Sequence, residues 1–216
     1  MEANAKHGKR RWPKVAAWAF GLLAILVTVS WFAGRAYVRA NPLVFNESLF
    51  GHAHCIKQAG LALRIHADAN QGRYPSHTNG FGDALLPLIG TSGAYPFTGP
   101  MFDSSELLAA QAAGRNVDES KLGRIYVQGL TKTNNPLIVL LFDQLATPGG
   151  DHCHVPFRLY APLGREVWWL GSSHKFVKAT DWYSFATNQI ELLVAEGIDR
   201  RTAQHYYEMT GLKFAE

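Results

Sequence analysis

Two short clusters of histidine and cysteine hold the side chains of this chain that are best suited to chemistry. One cluster reads HAHC and the other DHCH, and a further histidine follows in GSSHKF. Neutral imidazole and thiolate are ligands for zinc and copper, and two cysteines form a disulfide in an oxidising compartment. The residues concerned are His52, His54, Cys55, Asp151, His152, Cys153, His154 and His174.

The spacing within each cluster does not favour a metal site. His52 and His54 cannot share one face of a regular helix, and His152 and His154 are separated by a single residue without any sign of a convergent site. Exposed or hydrogen-bonded histidines are therefore the preferred interpretation. We predict no metal and no cofactor, and the metal site remains an alternative.

Sequence motifs for other enzyme classes do not occur. The chain lacks a P-loop, a dinucleotide-binding fingerprint and a CxxCH haem motif. Ser172, Ser173, His174 and Asp181 lie close in sequence, but no nucleophile elbow accompanies them. Asp143 and Asp151 would be too few acidic residues for a calcium site. We predict that the protein is not an enzyme.

A long apolar run near the start predicts a membrane anchor. The run Val15–Gly34 contains no charged residue and follows several lysines and arginines. About 20 apolar residues span a bilayer, and basic residues stay on the cytoplasmic side. A cleaved signal peptide is the alternative, but no small-residue cleavage site follows. A nucleic-acid partner is not expected, since no pattern of basic and aromatic residues continues through the domain.

These features divide the chain of 216 residues, with its formal charge of +4, into four parts. We predict a cytoplasmic tail over residues 1–14, a transmembrane helix over 15–36, a hinge over 37–47 and an extracytoplasmic domain over 48–216. The hinge contains Asn41-Pro42, which interrupts a helix.

The domain should begin with an amphipathic spine helix within Cys55–Pro75. Its apolar positions recur in steps of three and four, and Gly72 suits a left-handed C-cap. Several strands joined by short turns follow, with Leu137–Phe142 as a central strand, and two helices end the chain. Short connections favour antiparallel pairing, so we predict an α+β fold with the spine helix packed on an antiparallel sheet. The expected core positions of the spine helix are Leu49, Ala53, Ile56, Gly60, Leu63 and Ala67.

This pattern resembles the pseudopilins of type II secretion, and particularly the prepilin-like proteins of planctomycete-type bacteria. The resemblance covers about residues 50–180 and is carried by the spine helix and three sheet segments. Pseudopilins carry an early glutamate in their processed apolar helix, whereas no Glu occurs here between residues 3 and 46. We therefore expect an uncleaved anchor. The matching residues are Cys55 to Leu63, His66, Asp68, Gly72 to Pro75, Ile125 to Val127, Pro136 to Val139, Phe142, Asp143 and Val167 to Val177.

The resemblance implies a structural role. We expect a non-enzymatic subunit or accessory of an envelope or membrane complex, either of secretion or pilus type or of another kind, in the inner membrane with its domain in the periplasm. Its partners would be other subunits and the lipid bilayer. The alternative is an extracytoplasmic metal-binding or hydrolytic domain. Trp168 and Trp169 point to opposite faces of a strand, so we expect one in the core and the other exposed to a partner.

The pseudopilin-like arrangement also suggests a pairing of the two cysteines. In that arrangement the loop after the central strand returns towards the spine helix, which would bring Cys153 near Cys55. We predict a disulfide between them, with two separate thiols as the alternative.

Overall fold

The computed structural model describes residues 18, 21–33, 56–99, 102, 104–148 and 163–214. The chain divides into two units, Met1–Pro42 and Leu43–Glu216. In the first unit residues 21–33 are helical, and every described side chain is exposed. The part of the chain that the structure describes contains no helix with both the length and the apolar character needed to cross a bilayer.

The described part of the second unit contains five α-helices and five short strands. The helices are α1 (Ile56–Ala69), α2 (Phe81–Ser92), α3 (Ser105–Ala113), α4 (Trp182–Ala195) and α5 (Arg200–Glu208). The strands are β1 (Arg124–Tyr126), β2 (Val139–Asp143), β3 (Thr147–Pro148), β4 (Leu163–Trp169) and β5 (His174–Lys178). Three 3₁₀ turns lie at Tyr95–Phe97, Glu119–Lys121 and Ala179–Asp181.

All strand pairs are antiparallel, which confirms the predicted α+β class. β1 pairs with β2, and β2 and the short β3 pair with one edge of β4. β5 pairs with the other edge of β4 through a hairpin. β1, β2, β4 and β5 thus lie side by side in chain order, which makes the sheet a meander. The short connections predicted its antiparallel pairing.

The spine helix forms where the apolar spacing predicted it. Ile56, Gly60, Leu63 and Ala67 are all buried, whereas the predicted positions Leu49 and Ala53 lie outside the described residues. The helix ends in a Schellman motif, in which the Gly72 amide donates to the Ala67 carbonyl at 2.8 Å. Gln71 and Gly72 both have positive φ, 57° and 81°.

The central strand is shifted from its predicted position. It begins at Val139 rather than Leu137, and Leu137 is 64% exposed in the preceding turn. The turn is held by Gln189 of α4, whose amide accepts from the Val139 N–H at 2.8 Å and donates to the Leu137 carbonyl at 3.0 Å. The buried Gln189 side chain thus makes the hydrogen bonds that a neighbouring strand would otherwise make with the backbone at this turn.

Helices cover both faces of the sheet. α1 packs on β2 and β4 from one side, where Trp168 lies against Gly60. On the other side Phe142 of β2 stacks on Tyr207 of α5, with ring centroids 4.9 Å apart, and contacts Trp182 of α4. The C-terminal helices therefore complete a three-layer core.

Candidate functional site

A row of charged side chains crosses the sheet and is the most unusual polar feature among the described residues. The strand register places Arg124 of β1 opposite Asp143 of β2, and the Glu166 N–H of β4 donates to the Asp143 Oδ2 at 3.4 Å. His174 of β5 then lies diagonally next to Glu166. Since cross-strand neighbours share one face, the four side chains form a line across the α1 side of the sheet.

The inner half of this row is a fully buried ion pair. The Arg124 Nε donates to the Asp143 Oδ1 at 3.0 Å, and the two side chains are 2% and 0% exposed. Another guanidinium nitrogen of Arg124 donates to the Pro96 carbonyl. Burial raises the pKa of the Asp143 carboxyl, and the nearby cations Arg124 and Arg165 oppose that rise. The carboxylate is therefore held by charge-assisted bonds in a site without water access.

The outer half of the row is a partly accessible histidine and carboxylate. The His174 Nε2 lies 3.2 Å from the Glu166 Oε2, and the two side chains are 17% and 15% exposed. Both strands are paired along their length, so this contact has a rigid support. A histidine beside a carboxylate can exchange a proton.

Arg165 supports the same region from the opposite face of β4. Its guanidinium donates to the Gln144 carbonyl at 3.2 Å and to the Thr210 carbonyl at 3.1 Å, and it lies 4.7 Å from the centre of the Trp182 ring. Burial lowers the pKa of Arg165 to about 10, and Asp143 counteracts part of this effect. The contacts tie β4 to the end of α5.

A second group of carboxylates holds the loop after α3 against α2. Glu106 accepts two bonds from Arg115, at 2.6 and 3.0 Å, and one from the Asp118 amide at 2.8 Å. These donors lower the pKa of Glu106 to about 2. Asp83 accepts from the Val117 amide at 2.7 Å.

Another carboxylate, Glu119, caps the start of α2. It accepts from the Gly82 amide at 2.9 Å, and burial raises its pKa. As with Glu106 and Asp83, the oxygens of Glu119 satisfy backbone groups of the fold, which indicates a structural role.

Most of the predicted metal and disulfide residues lie outside the described residues. These are His52, His54, Cys55, Asp151, His152, Cys153 and His154, so the disulfide between Cys55 and Cys153 stays a prediction. Within the described ranges, no group of three or more histidine, cysteine or acidic side chains is arranged to hold a metal ion.

The hydroxyl and acidic residues near His174 each have a different partner. The Arg64 guanidinium donates to the Ser172 hydroxyl, whereas Asp181 accepts from the Thr180 hydroxyl at 3.0 Å. The described contacts thus do not assemble Ser172, His174 and Asp181 into a hydrolytic triad. Asp143, considered for calcium, is instead the partner of Arg124.

The prediction for the tryptophan pair was wrong in one respect. Trp168 and Trp169 point to opposite faces, as expected, but both are partly buried and pack against the core. Trp168 lies on Gly60 of α1, and Trp169 meets Phe185 of α4 edge-on at 5.5 Å. Because helices cover both faces of the sheet, neither side chain is an isolated surface tryptophan.

The charged row itself was missed by sequence reasoning, although a signal was present. Strand β1 begins with Arg124 and strand β2 ends with Asp143, so antiparallel pairing of these apolar strands places the two charges side by side. Arg165 and Glu166 similarly interrupt an otherwise apolar strand.

Comparison with protein-family models, with curated proteins and with solved structures finds no match to this chain.

Proposed function

We propose that this chain is a non-enzymatic, single-span membrane protein whose outer domain serves as a structural or accessory subunit of an envelope complex. The observation that carries the proposal is the uniformly apolar, exposed helix of the first unit. Leu22, Leu23, Val27, Trp31 and Phe32 are between 57% and 64% exposed, and their positions lie all round that helix. A helix that is hydrophobic on every side requires an apolar environment.

The sequence around this helix supports a full membrane span. The described helix belongs to the uncharged run Val15–Gly34, which has the length of a bilayer-spanning segment. Lys9, Arg10, Arg11 and Lys14 precede the run and favour a cytoplasmic N-terminus. The domain would then lie in the periplasm, with the protein in the inner membrane.

The polar groups of the domain support a structural role. Asp143 and Glu106 are committed to ion pairs, and Glu119 and Gln189 satisfy backbone groups. These bonds rigidify the sheet and the loops that surround it. A rigid domain on a membrane anchor, with these three carboxylates engaged in this way, is suited to assembly with other subunits. This role agrees with the pseudopilin-like order of spine helix and antiparallel meander.

Two versions of the role differ in how the N-terminus is processed. A pilus or secretion subunit would be cleaved before the apolar helix, whereas an accessory subunit of another complex would keep residues 1–14. The absence of an early glutamate favours the second version.

Purification from native membranes in a mild detergent tests the proposed role. We expect the chain to elute in a complex well above the size of the 23.9 kDa chain in a detergent micelle, with residues 1–14 intact by mass spectrometry. A start near residue 15 with an N-methylated amine would indicate pilin-type processing. Elution as a single chain would contradict the subunit role.

A further inference from the structure

We propose that the outer face of α1 rests on anionic lipid headgroups, through a ridge formed by Lys57, Leu61 and Ile65. This inference rests on the membrane anchoring proposed above. The three residues, called here the α1 ridge, are spaced four apart, so they lie in one line along the helix. They lie opposite the buried positions Leu63 and Ala67.

The apolar part of the α1 ridge is unusually exposed for a packed helix. Leu61 is 54% exposed and Ile65 is 60% exposed, although the same helix buries six other residues against the domain. The two side chains are neighbours, because residues four apart meet on a helix surface. They therefore form a continuous apolar strip rather than two isolated surface residues.

The charges around the α1 ridge favour an anionic surface. Lys57 is exposed one turn before Leu61. At the other end of α1, the negative charge of Asp68 is already paired with Lys132. Asp68 therefore does not neutralise the positive charge of Lys57. Arg64, half-buried at the border of the ridge, adds another positive charge and donates to Ser172.

Lipid is a better occupant of this surface than a second copy of the chain. Two α1 ridges packed face to face would bring their net positive charges together. A bilayer surface instead offers an apolar boundary for Leu61 and Ile65 with negative headgroups above it, the arrangement used by interfacial helices. A lysine near an anionic surface contributes about 1 kcal/mol, equivalent to about a fivefold change in occupancy.

Photocrosslinking in liposomes tests the proposal on the full chain. The variant Leu61→p-benzoylphenylalanine is reconstituted into liposomes of phosphatidylcholine and phosphatidylglycerol in equal parts. The matched control is Leu108→p-benzoylphenylalanine, since Leu108 is 47% exposed on α3. After irradiation, mass spectrometry counts adducts to lipid and adducts between chains.

We expect lipid adducts from position 61 to exceed those from position 108 by about fivefold or more. Adding Lys57→Glu should lower the yield at position 61 by at least about fivefold, and pure phosphatidylcholine should lower it similarly. Equal yields at the two positions, or adducts mainly between chains, would overturn the proposal. A yield unaffected by lipid charge and by Lys57→Glu would overturn it as well.

An alkaline carbonate wash of the same liposomes separates this proposal from the anchoring on which it rests. If the chain stays in the pellet but position 61 gives no excess of lipid adducts, the α1 ridge proposal alone fails. If the wash releases the chain, the anchoring fails and the α1 ridge proposal fails with it.

Discussion

The ring of Trp168 lies directly on Gly60, so that α1 and the sheet are in close contact where these residues meet. A Cβ atom built on Gly60 would lie 2.2 Å from the Trp168 Cδ2 and 2.3 Å from its Cε2. Both atoms belong to a rigid ring held between two layers. Glycine is therefore required at this position for close approach, and its lower helix propensity is the accompanying cost.

Replacing Gly60 by alanine should destabilise the domain. The new methyl group cannot fit without displacing the Trp168 ring, and overpacking of a core typically costs about 1–3 kcal/mol. Chemical denaturation monitored by tryptophan fluorescence measures the change. The control is Gly90→Ala, because nothing lies within 4 Å of a Cβ at that helical glycine. A stabilised Gly60→Ala variant would show that the contact is not tight.

Leu63 should behave as a core residue and Leu61 as a surface residue. Leu63 is fully buried, so Leu63→Ala should lower the free energy of unfolding by about 2–5 kcal/mol through lost transfer energy and cavity formation. Leu61→Ala removes the same atoms from an exposed position of the same helix and should cost much less. An effect below about 1 kcal/mol for Leu63→Ala would be incompatible with the packing of α1.

The buried ion pair should be costly to break but not to replace. Asp143→Leu leaves the Arg124 guanidinium buried without its carboxylate, and we expect a loss of about 3–5 kcal/mol. The double variant Arg124→Met, Asp143→Leu removes both charges and should recover most of that loss. Equilibrium unfolding of both single variants and the double variant gives the coupling energy. Additive effects of the two substitutions would contradict a paired site.

Acid should destabilise the domain partly through Glu106. Its folded pKa of about 2 lies below its usual value, so the stabilisation is present above pH 4–5 and is lost as the pH falls towards 2. The Glu106→Gln variant should be less stable at neutral pH, because Arg115 loses its ionised partner. The stability of this variant should also fall less steeply between about pH 5 and pH 2.

Thermal unfolding between about pH 5 and pH 2, in the same detergent, compares the acid sensitivity of the unchanged protein with that of Glu106→Gln. Parallel acid slopes for the two proteins would show that Glu106 does not contribute to the acid sensitivity.

The helices and most strands were predictable because their signals are local. The apolar spacing of α1 lies where the sequence placed it. Local signals also mark the end of α3, where Gly114 is left-handed, and the start of α5, where Asp199 is the N-cap. The Asp199 carboxylate accepts from the Thr202 amide at 3.0 Å, as an N-cap should. Such features depend on neighbouring residues alone.

Features that depend on distant parts of the chain were missed. Leu137 was assigned to the central strand because of its apolar neighbours, but the contact with Gln189, about fifty residues later, turns the backbone there. The partial burial of Trp168 and Trp169 follows from helices on both faces, which periodicity within one strand does not reveal.

Membrane anchoring by the apolar run is the central claim, and alkaline extraction of membranes tests it most directly. Membranes from cells that express the full chain are washed with carbonate and centrifuged, alongside a variant that lacks residues 15–34. The full chain should remain in the pellet, and the deletion variant should be released into the supernatant. Protease added from the periplasmic side should degrade the C-terminal domain of the full chain, and protease added from the cytoplasmic side should not. Release of the full chain into the supernatant would contradict the account.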